Sequence, residues 1–214
     1  MYKKVSLGII TILATAAILT VPSSVPQVSY AQTNQDLESS ILDVHNSERA
    51  DVEVQPLTWS NSLADGAQTW AQQIATTGKF AHDPVNTGLT CTSNCRGENI
   101  AGFFTSVSEP DGGQSKWAAE KSDYNGQTNT CTPVSPSVTC GHYTQMVWQN
   151  TREIGCGTAP PGAGGLPYSI LVCRYDPPGN YPGQLPYGAA APPADQGAAA
   201  PPADQGGGGG GGEN

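Results

Sequence analysis

Three histidines lie in this 214-residue chain, and each keeps different company. His142 sits in Gly141-His142-Tyr143-Thr144-Gln145-Met146-Val147-Trp148-Gln149-Asn150-Thr151, a titratable ring held by aromatic and apolar packing on a short segment. His82 lies in Phe80-Ala81-His82-Asp83-Pro84, where Pro84 restricts Asp83 to extended conformations. That makes His82 a loop histidine, freer to serve a site than one on a packed helix. Asp83 could orient its ring or simply be solvated. His45 falls on an apolar stripe with Leu37, Ile41 and Val44 and reads as a hydrogen-bonded core residue. Two acids stand out. Glu98, between Gly97 and Asn99 and followed by apolar residues, reads as a partly buried carboxylate. Glu120 shares a helical face with Trp117 and Tyr124, and a glutamate there is costly unless it finds a cation, a metal or a histidine. No Ser or Cys is placed by a motif as a nucleophile.

The elements that must position these residues follow from periodicity and turn chemistry. A helix is predicted over Asn34 to Ala50, with Thr33 and Asp36 as a capping box. Pro56 to Trp59 is an extended connector. Ser60 can cap a second helix carrying Leu63, Ala67, Trp70, Ala71 and Ile74, and Gly78 suits its left-handed stop. Phe103-Phe104 opens a loop through Gly113, where the pair either touches a lipid or anchors the loop. A third helix spans Gln114 to Tyr124, and a short one covers the His142 stretch. Arg152 to Thr158 and Tyr168 to Tyr175 read as strands; Ile170-Leu171-Val172-Cys173 is a continuous apolar run, as in a strand buried on both faces. The mix points to an α+β or three-layered α-β-α arrangement.

The ends of the chain read differently. Met1-Tyr2-Lys3-Lys4, an apolar run from Val5 to Val21 and Ser29-Tyr30-Ala31 describe a secretory signal peptide over residues 1–31. An uncleaved anchor is the alternative. Residues 188–214 hold two Ala-Pro-Pro-Ala-Asp-Gln-Gly repeats and a polyglycine run, too poor in apolar side chains to offset ordering entropy. This tail reads as a disordered, partly polyproline-like extension. One domain, residues 32–187, remains between them. The net charge of −9 argues against nucleic acid or an anionic membrane surface as partner, and removing Lys3 and Lys4 makes the chain more acidic still. Six cysteines in an exported chain imply disulfides. Pairing of sequence neighbours gives Cys91–Cys95, Cys131–Cys140 and Cys156–Cys173.

These residues carry a resemblance. The His142 stretch resembles the first signature of the cysteine-rich secretory protein, antigen 5 and pathogenesis-related 1 superfamily. Ile170-Leu171-Val172-Cys173-Arg174-Tyr175-Asp176-Pro177-Pro178-Gly179-Asn180-Tyr181 resembles its second. His45-Asn46-Ser47-Glu48-Arg49 is similar to its His-Asn-x-x-Arg element, and Gly97-Glu98-Asn99-Ile100 to its Gly-Glu-Asn-Ile element. The match looks closest to plant and microbial pathogenesis-related 1-like members. The resemblance implies a three-layer α-β-α sandwich with a central antiparallel sheet and a further strand near Glu98 to Phe104. It implies a cleft built by His82, Glu98, Glu120 and His142, in which His82 and His142 hold zinc or another divalent cation, while His45 is structural. Two imidazoles and two carboxylates suit zinc and can equally close a metal-free hydrogen-bond network.

The functions the resemblance implies are those of a secreted binding protein for an extracellular lipid, sterol or protein, with Phe103 and Phe104 as the candidate lipid loop. A hydrolase using a histidine and an acid to activate water is the weaker reading. Asp176 to Tyr187 also resembles a segment from which some plant members release a signalling peptide, although here a tail follows Tyr187.

Overall fold

The computed structural model describes residues 30–87, 94–104, 111–132 and 139–188. Helix α1, Tyr30–Asp51, is followed by β1, Thr58–Trp59, and α2, Asn61–Thr77. Strand β2, Gly97–Phe103, precedes α3, Asp111–Ala119, and a 3-10 turn at Glu120–Asp123. A small hairpin, β3 (Tyr124–Asn125) and β4 (Thr130–Cys131), leads to α4, Gly141–Met146. Strands β5, Glu153–Ala159, and β6, Ser169–Asp176, complete the order.

The main sheet runs β1-β5-β6-β2, so β6 is internal and β2 is an edge. Every residue from Ser169 to Tyr175 is buried, as the apolar run anticipates. β5–β6 and β2–β6 are antiparallel, but β1 pairs parallel to β5. The expected antiparallel sheet is therefore a mixed one with a two-residue parallel edge, added where the connector before α2 lies against β5.

Alternation of side chains divides the sheet into two faces. On one, Ile100, Ile170 and Val172 meet Ala67, Ala71 and Ile74 of α2. On the other, Ala101, Phe103, Leu171, Cys173 and Tyr175 meet Leu37, Ile41, Trp117, Tyr143 and Met146 of α1, α3 and α4. These are the three layers. The approach of α2 depends on glycine: a Cβ on Gly155 would lie 2.2 Å from the Ala64 nitrogen, and one on Gly157 2.3 Å from the Gln68 Cα.

Two disulfides lie among the described residues. Cys156 and Cys173 face each other across β5 and β6, and Cys131–Cys140 ties the small hairpin to the start of α4. The expected Cys91–Cys95 pair includes Cys91, which lies outside the described residues, as do residues 1–29 and the tail from 189. Among the described residues no helix is long and apolar enough to cross a membrane.

Several local expectations change. Helix α1 already runs through Thr33, so Thr33 does not cap it. Its buried stripe is Leu37, Ile41, His45 and Arg49, one residue per turn, with Val44 only half-buried. Ser60 occupies the N-cap position of α2 with extended backbone, but its side chain makes no capping bond. Gly78 does end α2 in left-handed geometry, φ 71°, with its N–H on the Ile74 carbonyl. The third helix stops at Ala119 and tightens into the 3-10 turn, leaving Tyr124 extended. Phe103 is not in a loop: it is the last residue of β2 and 1% exposed, whereas Phe104 is 80% exposed.

Candidate functional site

The four residues expected in a cleft form two histidine–glutamate pairs. His82 Nδ1 lies 2.9 Å from Glu98 Oε1, and His142 Nδ1 lies 2.6 Å from Glu120 Oε1. In each pair a backbone N–H also binds the carboxylate: Asp83 N to Glu98 Oε1 at 3.0 Å, and Tyr143 N to Glu120 Oε2 at 3.0 Å. An ionised carboxylate can only accept, so the ring Nδ1 donates to it. Each neutral ring therefore carries its lone pair on Nε2, which has no hydrogen bond among the described residues.

The first pair rests on a buried ionic group. The Glu98 side chain is fully buried on the α2 face of β2, opposite Arg174 on β6. Arg174 Nε reaches Glu98 Oε2 at 3.4 Å, and its Nη2 binds Asp83 Oδ2. Gly66 leaves room for the guanidinium, since a Cβ there would lie 2.6 Å from Nη1. Burial alone would raise the Asp83 carboxyl, but bonds from the Asn86 amide and Val85 N–H, with Arg174 nearby, hold it below the usual carboxylate range. Asp83 thus neither orients the His82 ring nor is solvated. It fixes Arg174 and the turn that carries His82.

The second pair rests on packing. Glu120 opens the 3-10 turn, and the His142 ring stacks on Trp117 with centroids 5.8 Å apart and planes 14° from parallel. Asn99, pointing to the opposite face of β2 from Glu98, donates to the His142 carbonyl at 3.1 Å and to the Tyr175 hydroxyl oxygen at 3.0 Å. That hydroxyl meets His45 Nε2 at 2.9 Å, and His45 Nδ1 donates to the Ile41 carbonyl at 2.8 Å. The carbonyl can only accept, so Tyr175 donates to Nε2 and His45 is neutral. Burial pushes its pKa down to about 4. His45 is a core residue, as its place on the stripe predicts.

Helix α4 is held from several sides. Asn180 Nδ2 binds the Gly141 carbonyl at 2.8 Å, and its Oδ1 accepts from Thr144 Oγ1 at 2.7 Å. Arg49, fully buried, donates to the carbonyls of Gln55, Met146, Trp148 and Thr151. Burial lowers its pKa to about 10. Sequence reasoning missed Arg174 and Asn99 as site residues. The signal for Arg174 was a cation inside an apolar strand, which must find buried acids.

Strand β2 contributes to both pairs: Glu98 binds His82, and its neighbour Asn99 binds the His142 carbonyl. Among the described residues no three His, Cys, Asp or Glu side chains group as a metal-holding set. The donors that could take a cation are the Nε2 atoms of His82 and His142, each backed through Nδ1 by a carboxylate. That backing is the arrangement that orients metal-bound histidines.

Comparison with known proteins agrees with this architecture. A family model described as the cysteine-rich secretory protein family matches residues 42–175. Pathogenesis-related protein 1A of Nicotiana tabacum is 36% identical over 160 residues, covering 75% of this chain and 86% of that protein. A pathogenesis-related protein of PR-1 type from Sambucus nigra is 40% identical over 157 residues, covering 72% and 83%. The solved structure of venom allergen-like protein 4 of Schistosoma mansoni superposes with a TM-score of 0.56 at 26% identity, covering 72% of this chain and 95% of that one. With the three layers and both motif-borne histidine–glutamate pairs in place, the chain belongs to the cysteine-rich secretory protein family and is similar to its pathogenesis-related 1 members.

Proposed function

We propose that this protein acts outside the cell by binding rather than by catalysis, and that it holds a divalent cation, zinc being the best suited, between His82 and His142. The observation that supports this is the matched pair of His–Glu bonds, 2.9 and 2.6 Å, which commit both Nδ1 atoms to carboxylates and leave both Nε2 lone pairs for a ligand. Neutral imidazole nitrogen suits zinc, and water or a bound ligand would complete the coordination. The molecule bound is proposed to be an extracellular lipid, sterol or protein. The disulfides fit an oxidising compartment.

Zinc titration of chelator-treated, tag-free protein by calorimetry tests the reading. About one equivalent is expected. His82→Ala and His142→Ala should each abolish binding, and Glu98→Gln or Glu120→Gln should weaken it by roughly 10–100-fold. Zinc uptake indifferent to both alanine variants would sink the proposed site. Separately, labelled sterol showing no saturable uptake would remove sterol as the ligand.

A further inference from the structure

Helix α2 reaches the first histidine–glutamate pair at two places one turn apart. Gly66 and Trp70 are four residues apart and so share a face of the helix. Gly66 admits the Arg174 guanidinium. Trp70 is half-buried and packs on the core around Ala67, Ala71 and Ile74, while its Nε1–H donates to the Ala81 carbonyl at 3.0 Å. A tryptophan with an apolar body and a bonded polar tip can join a helix to a loop in this way. The helix is itself fixed against β5, because the Gln68 side chain donates to the Thr158 carbonyl at 2.9 Å and accepts from the Thr158 N–H at 3.1 Å.

The Ala81 carbonyl belongs to the peptide unit immediately before His82. The Asp83 N–H, which donates to Glu98 Oε1 at 3.0 Å, belongs to the unit immediately after it. Peptide units are planar, so the orientations of these two planes set the two backbone dihedrals at His82 and with them the direction of its Cα–Cβ bond. The bond from Nδ1 to Glu98 Oε1 at 2.9 Å then sets the turn of the ring. Glu98 supplies two of these three restraints and Trp70 supplies the third. Without the indole N–H, the Ala81–His82 plane is free to rotate. The ring then pivots about its bond to Glu98 and carries Nε2 with it.

We propose that Trp70 is a positioning residue for His82: by holding the Ala81–His82 peptide it fixes the direction in which Nε2 presents its lone pair. Its consequence for cation binding rests on the reading of His82 as a ligand, and its consequence for the ring does not. The bond contributes little to stability, since it lies at an exposed position where water can replace the indole. Phenylalanine at this position keeps the packing on the α2 core and removes the N–H.

The test is long-range proton–nitrogen NMR of the histidine rings at about pH 8, where ordinary imidazole is neutral. It compares wild type with Trp70→Phe, each as the full-length chain with its disulfides intact. In the wild type, His82 should show two well-separated ring nitrogen shifts, those of a single tautomer protonated on Nδ1. In Trp70→Phe these shifts should move toward one another as the second tautomer becomes populated, while His142 keeps its wild-type values. Zinc affinity should fall by about 10-fold. A His82 ring unchanged by the substitution overturns the proposal. So do equal changes at His82 and His142, which would mark a general loosening of the fold. A measurement on the wild type alone is equally decisive: a scalar coupling is expected across the bond from Trp70 Nε1–H to the Ala81 carbonyl carbon, and its absence overturns the proposal. If the His82 ring shifts but neither protein takes up zinc, the positioning role stands and the cation reading falls.

Discussion

His45 should make the stability of this protein fall in mild acid, and the size of the fall can be worked out. Burial lowers its pKa from 6.5 to about 4, partly offset by the Ile41 carbonyl and reinforced by Arg49. The folded state therefore binds the proton less tightly than the unfolded chain. As pH drops below 6.5 the unfolded chain takes up a proton that the folded protein refuses until about pH 4. Stability conferred by neutral His45 is present above the unfolded value and is lost through that window. At 1.36 kcal/mol per unit the full loss is about 3 kcal/mol, of which about 2 kcal/mol appears between about pH 7.5 and pH 5. The assay is urea unfolding at those two pH values on wild type and His45→Gln. The variant starts from lower stability, because it forfeits the Tyr175 contact, but it should lose about 2 kcal/mol less on acidification. Contributions from groups other than residue 45 are common to both proteins and cancel in the difference. If both proteins lose the same amount, the buried neutral ring is not the source of the acid sensitivity.

Arg49→Lys keeps the charge but not the fork that reaches four carbonyls, so it should destabilise by about 2–4 kcal/mol in urea unfolding; an effect below about 0.5 kcal/mol would remove the guanidinium as the organiser of the α4 region. Opening Cys156–Cys173 by a double alanine substitution frees a loop of 17 residues and should cost about 3 kcal/mol, read as a lower urea midpoint. Tyr175→Phe strands the His45 Nε2 acceptor and one Asn99 contact, and should cost about 2–3 kcal/mol. It should also shift the His142 backbone amide in NMR while leaving the His82 amide in place; equal shifts at both would contradict the separation of the two pairs.

What could be read in the sequence is what periodicity and turn residues encode. The Gly78 stop and the buried run of β6 are local patterns and appear where expected, and the α1 stripe does so at Leu37, Ile41 and His45 but not at Val44. Glu120 on an aromatic face demanded a partner, and the demand was legible although its address, 22 residues on, was not. Arg49 lay in a recognisable element, but its acceptors had no signature, because they are backbone carbonyls that every residue carries. Asp83 and Arg174 are 91 residues apart, and they meet because the β2–β6 pairing sets Glu98 opposite Arg174 while Asp83 N binds Glu98. Two consecutive phenylalanines could not be told apart until the end of β2 was placed, since alternation sends Phe103 inward and Phe104 leaves the strand. Strand β1 is two residues long and exists because β5 is beside it. Tertiary pairing made it, not propensity.

Strand β2 explains how two pairs built from distant loops and helices are tied to one element. Consecutive residues on a strand face opposite ways, so Glu98 enters the Arg174 group under α2 while Asn99 enters the Tyr175–His45 group under α1. A slip of one residue in the β2–β6 register would exchange those environments, placing a carboxylate against Tyr175 and an amide against Arg174. The register is held by seven consecutive pairings, Gly97 with Tyr175 through Phe103 with Ser169. Gly97 adds a steric lock, since a side chain there would strike Gln145 on α4. One edge strand thus supplies the carboxylate that orients His82 and the amide that anchors the His142 backbone. The two histidines share a scaffold without sharing a hydrogen bond among the described residues.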